Sequence, residues 1–125
     1  MRALAHLELG NIEEGVRWLR PQLADGRTGR FPGLANDSVM LLARLAHAEG
    51  DVPRARELLL QSWFCRSDAT IIFGHELARR LEIAEEYERC QRRSVTFGVR
   101  SPEGINGMHL AMAALRAELT RRGWD

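Results

Sequence analysis

The chain has 125 residues, with 18 Lys+Arg against 17 Asp+Glu, and every residue in the basic total is an arginine. This length fits one domain, and a net charge of +1 disfavours nucleic-acid binding, which usually needs a larger positive excess. The absence of lysine excludes Schiff-base chemistry and a phosphate-binding lysine. We attribute it to a bacterial-type coding bias toward Arg and Ala.

Cysteine content and hydropathy bear on the compartment. Cys65 and Cys90 are too few for a disulfide framework and lack Cys-x-x-Cys spacing. No apolar run approaches the roughly 18 residues needed to cross a bilayer. The N-terminal segment carries several acidic residues, which is unlike a secretory signal. We therefore expect a cytoplasmic protein without a membrane partner.

Capping residues and apolar spacing predict about seven helices and almost no strand. Asn11 and Asp51 are good N-caps, and Pro53 suits a first helical turn. Pro21 is expected to end or kink the second helix near Arg20, and the glycine-rich segment 24–36 is expected to be a loop. The predicted helices cover residues 3–9, 12–20, 38–48, a stretch after 51, 68–81, 84–96 and 105–121.

Two of the predicted helix pairs repeat a local pattern. The turns read Gly10-Asn11-Ile12 and Gly50-Asp51-Val52, and a small residue follows five positions after each turn glycine. Small residues at such positions let two antiparallel helices approach closely. His6 and His47 are interpreted as equivalent positions of the two pairs. The small residues of the pattern are Ala3 and Gly15 in the first pair and Ala43 and Ala55 in the second.

This pattern resembles the tetratricopeptide repeat. The resemblance implies an all-α fold of antiparallel helix-turn-helix pairs, stacked as a right-handed superhelix or bundle in a single domain. The units would span about 1–24, 36–65, 68–97 and 105–125, joined by the loop 24–36. The third unit departs from the pattern, because it lacks the turn glycine and has Tyr87 where a small residue belongs.

The resemblance also implies a binding groove formed by the first helix of each pair. The groove positions that we expect to contact a partner are Asn36, Met40, His47, His75 and Arg79. Aromatic residues beside arginine are typical of protein-binding hot spots, and the candidates are Phe31, Trp63 and Arg66.

Catalytic and metal sites are not predicted. His75-Glu76 superficially resembles a zinc-protease helix, but Arg79 stands where the second histidine ligand is required. The sequence contains no phosphate loop and no recognisable nucleophile with its base. We therefore expect no enzyme activity, no metal and no cofactor.

The expected function is a non-catalytic protein–protein interaction scaffold that binds a peptide or protein segment, or another copy of itself. An all-arginine surface suits carboxylate contacts and aromatic stacking, so an acidic or aromatic segment is the expected partner. One alternative is an effector-sensing or regulatory domain of a larger transcription regulator. Another is a small redox protein or enzyme that uses Cys65 and Cys90.

Overall fold

A computed structural model describes residues 2–27, 32–62, 68–97 and 102–124, with side chains described at 2–23, 37–62, 72–92 and 109–124. Within these ranges the chain forms seven helices and no strand, so the expected all-α fold is confirmed. The helices are α1 (Arg2–Glu8), α2 (Ile12–Arg27), α3 (Pro32–Ala48), α4 (Val52–Leu60), α5 (Asp68–Arg80), α6 (Ala84–Phe97) and α7 (Pro102–Arg122).

Four helix ends share one turn geometry. α1, α3, α5 and α7 are followed by Gly10, Gly50, Glu82 and Gly123, whose φ angles are 79°, 85°, 61° and 72°. In each turn this residue donates its N–H to the carbonyl three positions earlier, and the next residue donates to the carbonyl five positions earlier. This is the Schellman arrangement, which satisfies carbonyls at a helix end. Glu82 adopts the left-handed conformation without being glycine, at a cost of about 1 kcal/mol.

The start of α4 follows the predicted capping. The Asp51 carboxylate accepts a hydrogen bond from the backbone N–H of Arg54 at 3.3 Å, and Pro53 lies in the first turn, where a missing N–H is harmless. The inner face of α4 is formed by Ala55, Leu58 and Leu59, which are fully buried.

The equivalence of His6 and His47 is wrong. The carbonyl that accepts the bond from five positions ahead belongs to His6 in the first turn and to Ala46 in the second. The turn register therefore places His6 opposite Ala46. Leu9 adds one residue between the histidine and the turn glycine of the first pair, which shifts the two motifs by one position.

Of the two predicted effects of Pro21, a helix end is wrong, and so is the predicted loop at 24–27 and 32–36; residues 28–31 lie outside the described part of the structure. α2 continues through Pro21 to Arg27, and α3 already begins at Pro32, so 24–27 and 32–36 are helical. Proline removes the hydrogen bond to the carbonyl of Arg17, but Arg17 is exposed and water can replace that bond. Beyond the proline, burial of Leu23 favours a further turn of helix.

The centre of the molecule is α3. Residues 38–46 are buried on every side of the helix, because α3 packs against α1, α2, α4, α5 and α7. A helix that is apolar around its whole circumference requires such surroundings. Arg44 is the one charged residue of this stretch, and it is only 8% exposed.

The last helix returns to this centre. α7 packs mainly against α3 and also contacts α2 and α6, whereas a regular stack of helix pairs would place it against α5 and α6. The helices thus enclose α3 instead of extending along one axis. Among the described residues, no helix combines the length and apolar character needed to cross a membrane.

In the third helix pair, Tyr87 of α6 stands where the first two pairs have a small residue, and a glycine of α5 makes room for it. Tyr87 of α6 is fully buried, at the position that Gly15 and Ala55 hold in the first two pairs. A Cβ atom on Gly74 of α5 would lie only 2.1 Å from the tyrosine oxygen, so glycine provides the space there. The Tyr87 ring also makes an edge contact with the His75 ring, with centroids 5.0 Å apart.

Candidate interaction surface

A narrow cleft lies where the first helices of the three pairs come together. It opens to solvent, and the space enclosed between its walls is only about 20 Å³. That is room for about one water molecule and is far below the roughly 300–1,000 Å³ typical of small-molecule sites, so the cleft is a shallow depression on the surface. The residues that line the cleft come from α1 (Leu4, Glu8), α3 (Met40, Arg44) and α5 (Phe73, Glu76, Leu77, Arg80).

One end of the cleft is apolar. Leu4, Met40 and Leu77 form its floor and are at most 5% exposed. Phe73 stands at its edge with 39% of its surface exposed. An aliphatic or aromatic side chain that entered here would leave water for an apolar surface, which is favourable by about 25 cal/mol per Å² buried.

The other end of the cleft carries two ion-paired arginines. The Glu8 carboxylate accepts hydrogen bonds from the Arg44 guanidinium at 3.0 and 3.3 Å and from Arg80 at 2.8 Å. Arg80 also donates to Glu76 at 2.8 Å. These bonds join α1, α3 and α5 through side chains that are 36 and 72 positions apart in sequence.

The charges of this end stabilise one another. The hydrogen bond from Arg80 has the largest effect on Glu8 and lowers the pKa of its carboxyl, and Arg44 adds to the lowering against the opposing effect of burial. The same bond raises the pKa of Arg80. Glu8 is therefore a carboxylate at neutral pH, an arrangement that suits charged contacts and leaves it a poor proton donor.

Beside the cleft, α5 presents an uncovered face. Ile72 is 64% exposed, and His75 and Arg79 are exposed on the turns that follow. Positions three and four apart lie on the same side of a helix, so the three residues form one strip. We call Ile72, His75 and Arg79 the α5 strip.

The predicted groove residues fall partly in this region. Met40 lines the cleft from within the core, while His75 and Arg79 lie on the α5 strip, one position before the lining residues Glu76 and Arg80. The sequence pattern placed these residues on α3 and α5, two of the helices that line the cleft. It did not fix their rotation, which depends on how each helix packs against its neighbours.

His47 lies next to the charged end of the cleft without lining it. Its Nδ1 atom is buried and has no hydrogen-bond partner among the described residues, and the same is true of His6. Burial has the largest effect on His47 and lowers the pKa of its imidazole; Arg44 and Arg80 act in the same direction and Glu8 acts against them. Neutral imidazole is therefore favoured there.

Several predicted residues lie outside the described part of the structure. The hot-spot candidates Phe31, Trp63 and Arg66 are among them, as is Cys65. Asn36 belongs to α3, but its side chain is outside the described residues. Cys90 is half-buried on α6.

The sequence reasoning missed a second charged cluster, centred on Glu118 of α7. This carboxylate is 0% exposed and accepts hydrogen bonds from Arg54 at 2.6 and 2.9 Å, from Arg122 at 2.9 Å, and from Arg121. Arg122 also donates to Glu49. A glutamate within the apolar stripe Leu115–Leu119, followed by two arginines, was the signal that could have indicated it.

The Glu118 cluster holds α7 against the start of α4 and the end of α3. Burial raises the pKa of Glu118 and is the largest influence, but the hydrogen bonds from Arg121, Arg54 and Arg122 together exceed it and leave the pKa at about 2. The carboxylate has no exposed surface, so Glu118 itself acts within the fold by joining these helices.

Metal ligation finds no support in the described residues, which contain no group of three or more His, Cys, Asp or Glu placed to hold an ion. Comparison of the chain with protein-family models, with curated proteins and with solved structures gives no match.

Proposed function

We propose that the chain is a non-catalytic protein-interaction module of the cytoplasm, whose contact surface is the cleft between α1, α3 and α5 together with the α5 strip. The observation that carries this proposal is the apolar end of the cleft. Its floor is built from core residues, while Phe73 at its edge and Ile72 on the neighbouring α5 strip remain exposed to water. Exposed apolar groups around a concave site are typical of binding surfaces.

The charges of the cleft favour a protein partner that contributes an apolar or aromatic side chain. Arg44 and Arg80 are already paired with Glu8 and Glu76, so they offer no free positive charge to a strongly acidic ligand. This pairing weighs against an acidic segment and keeps the other part of the expectation, an apolar or aromatic side chain. Such a side chain would pack over Leu4 and against Phe73.

The local geometry also supports a tetratricopeptide-type origin for the helix pairs. Three turns of one geometry join α1 to α2, α3 to α4 and α5 to α6, and the first two pairs have small residues at their crossing points. In repeats of this kind the first helices line the binding surface, and here the described cleft residues come from α1, α3 and α5. The placement of α7 makes this a closed variant of such an array.

The test is selection from a random peptide library displayed on phage. We expect enriched peptides to share an apolar or aromatic residue and to lose at least tenfold in affinity when Phe73→Asp is introduced. The matched control is Leu110→Asp, which places the same charge at a 60% exposed leucine of α7, away from the cleft. Peptides that bind both variants equally, or no enrichment at all, would contradict the proposed surface.

A further inference from the structure

We infer that the chain has a second contact surface, which binds a peptide segment that carries one carboxylate beside an apolar side chain. This surface is separate from the cleft between α1, α3 and α5, and it goes beyond the function proposed above. It is a groove between α2 and Trp124, which follows α7, and we call it the α2–Trp124 groove. Its lining residues are Glu13, Val16, Arg17, Arg20, Pro21 and Trp124.

The α2–Trp124 groove has room for a ligand. The space between its walls is about 610 Å³, within the roughly 300–1,000 Å³ typical of ligand sites. It is broad and open to solvent, so a peptide segment can lie along it without entering the core. In this respect it differs from the cleft, which has room for about one water molecule.

One wall of the groove is an aromatic ring whose position is fixed by the fold. Trp124 is half-buried and packs against the hydrophobic core. Its backbone N–H donates to the carbonyl of Leu119 at 2.8 Å. The guanidinium of Arg122, which also bonds Glu118 and Glu49, lies 5.2 Å from the ring centroid. A ligand that packs on this ring therefore meets a surface that is already ordered, which lowers the entropic cost of binding.

The positive charge of the groove is on Arg20. Its guanidinium lies over the Trp124 ring, 5.3 Å from the centroid, and it forms no ion pair with any described residue. A cation–π contact leaves the N–H donors of the guanidinium available, and their fork matches the two oxygens of a carboxylate. Arg17 and Glu13 lie one helical turn apart and offset each other's charge. The groove therefore suits a single carboxylate and not a strongly acidic tail.

The proline of α2 adds a hydrogen-bond acceptor to the groove. Pro21 has no N–H, so the carbonyl of Arg17, one turn earlier, lacks the bond that an uninterrupted helix would give it. A peptide N–H of the bound segment can donate to this carbonyl, while an aliphatic side chain packs on Val16, Pro21 and Trp124. The acceptor, the apolar wall and the guanidinium together match a segment with an acidic residue next to an apolar one.

The test is an NMR titration of the full chain with a pair of capped tripeptides. The probe is acetyl-Leu-Asp-Leu-amide, and its control, acetyl-Leu-Asn-Leu-amide, replaces the carboxylate by an amide of the same shape. We expect the probe to bind with a dissociation constant on the order of 1 mM and the control to bind more weakly by about fivefold or more. The indole N–H signal of Trp124 should shift. The signal of Trp18, which is covered by Arg2 and does not line the groove, should stay in place.

Two matched variants test the role of the guanidinium. Arg20→Gln should bind the probe no better than the control peptide. Arg92→Gln makes the same change at an arginine of α6 that is 72% exposed, and it should bind the probe like the wild type. Equal binding of the two peptides to the wild type, an unshifted Trp124 signal, or equal effects of the two variants would overturn the inference. Phe73→Asp should leave probe binding unchanged, so this inference and the proposed function fail independently.

Discussion

Replacement of Glu118 by glutamine tests how α7 is held in place. The change keeps the shape of the side chain and removes its charge. Arg54 and Arg122, with side chains 24% and 8% exposed, would then retain ion pairs with Glu57 and Glu49, and the amide oxygen of glutamine could accept only part of their former bonds. Removal of one partner from a buried ion pair typically costs about 3–5 kcal/mol. The remaining bonds place the expected loss at the lower end of that range.

The pKa of Glu118 gives a second value for the free energy that this carboxylate contributes to stability, and the two values are of similar size. The folded protein lowers it from the ordinary 4.5 to about 2, and a difference of about 2.5 corresponds to about 3 kcal/mol. Since the folded pKa is the lower one, the unfolded chain binds more protons between these values. The stabilisation is therefore complete above pH 4.5 and is lost as the pH falls toward 2.

The assay is urea unfolding followed by circular dichroism at pH 7 and at several lower pH values. The wild type should exceed Glu118→Gln by about 3 kcal/mol at pH 7, and the gap should shrink as the pH falls below the ordinary glutamate pKa. The control is Glu57→Gln, which removes an exposed partner of the same Arg54 and should cost about 0.5 kcal/mol or less. A loss under about 1 kcal/mol, or a gap that does not depend on pH, would refute the reasoning.

Three further changes test other parts of the fold. Gly74→Ala should destabilise the chain by about 1–3 kcal/mol, since the new Cβ meets the Tyr87 hydroxyl, and Tyr87→Phe should recover part of that loss in a double-mutant cycle. Glu82→Gly should raise the free energy of unfolding by up to about 1 kcal/mol, because glycine adopts the positive φ without strain. A lower midpoint of urea unfolding than that of the wild type would contradict this. His47 should titrate below pH 6.5 by NMR, and stability should fall as the pH drops below that value, because protonation is disfavoured in the folded state; titration at or above 6.5 would oppose it.

Local features of the fold followed from the sequence because they depend on neighbouring residues alone. The turns at Gly10 and Gly50 and the cap at Asp51 each need only a few consecutive positions. The same local logic left a helix end and a kink open at Pro21; the helix continues, and burial of Leu23 favours that outcome. It placed the helix break after residue 81 but not the left-handed conformation of Glu82, since a glutamate carries no signal for positive φ.

The candidate site was predicted less well, because it depends on how distant helices meet. Met40 was correctly placed on the helix that lines the cleft, but Glu8 and Arg80 come together only through packing of α1 against α3 and α5. The return of α7 to α3 has no local signal either. A charged residue in an apolar stripe, such as Glu118, indicates that a buried ion pair forms, but the sequence does not show which residues are its partners.

Methyl NMR of the full chain, titrated with a library-selected peptide, tests the central claim most directly. The proposed contact surface predicts that shift changes concentrate at Leu4, Met40, Ile72 and Leu77, while the exposed Leu110 of α7 keeps its position. Changes centred on Leu110, or spread evenly over the molecule, would contradict the placement of the binding surface between α1, α3 and α5.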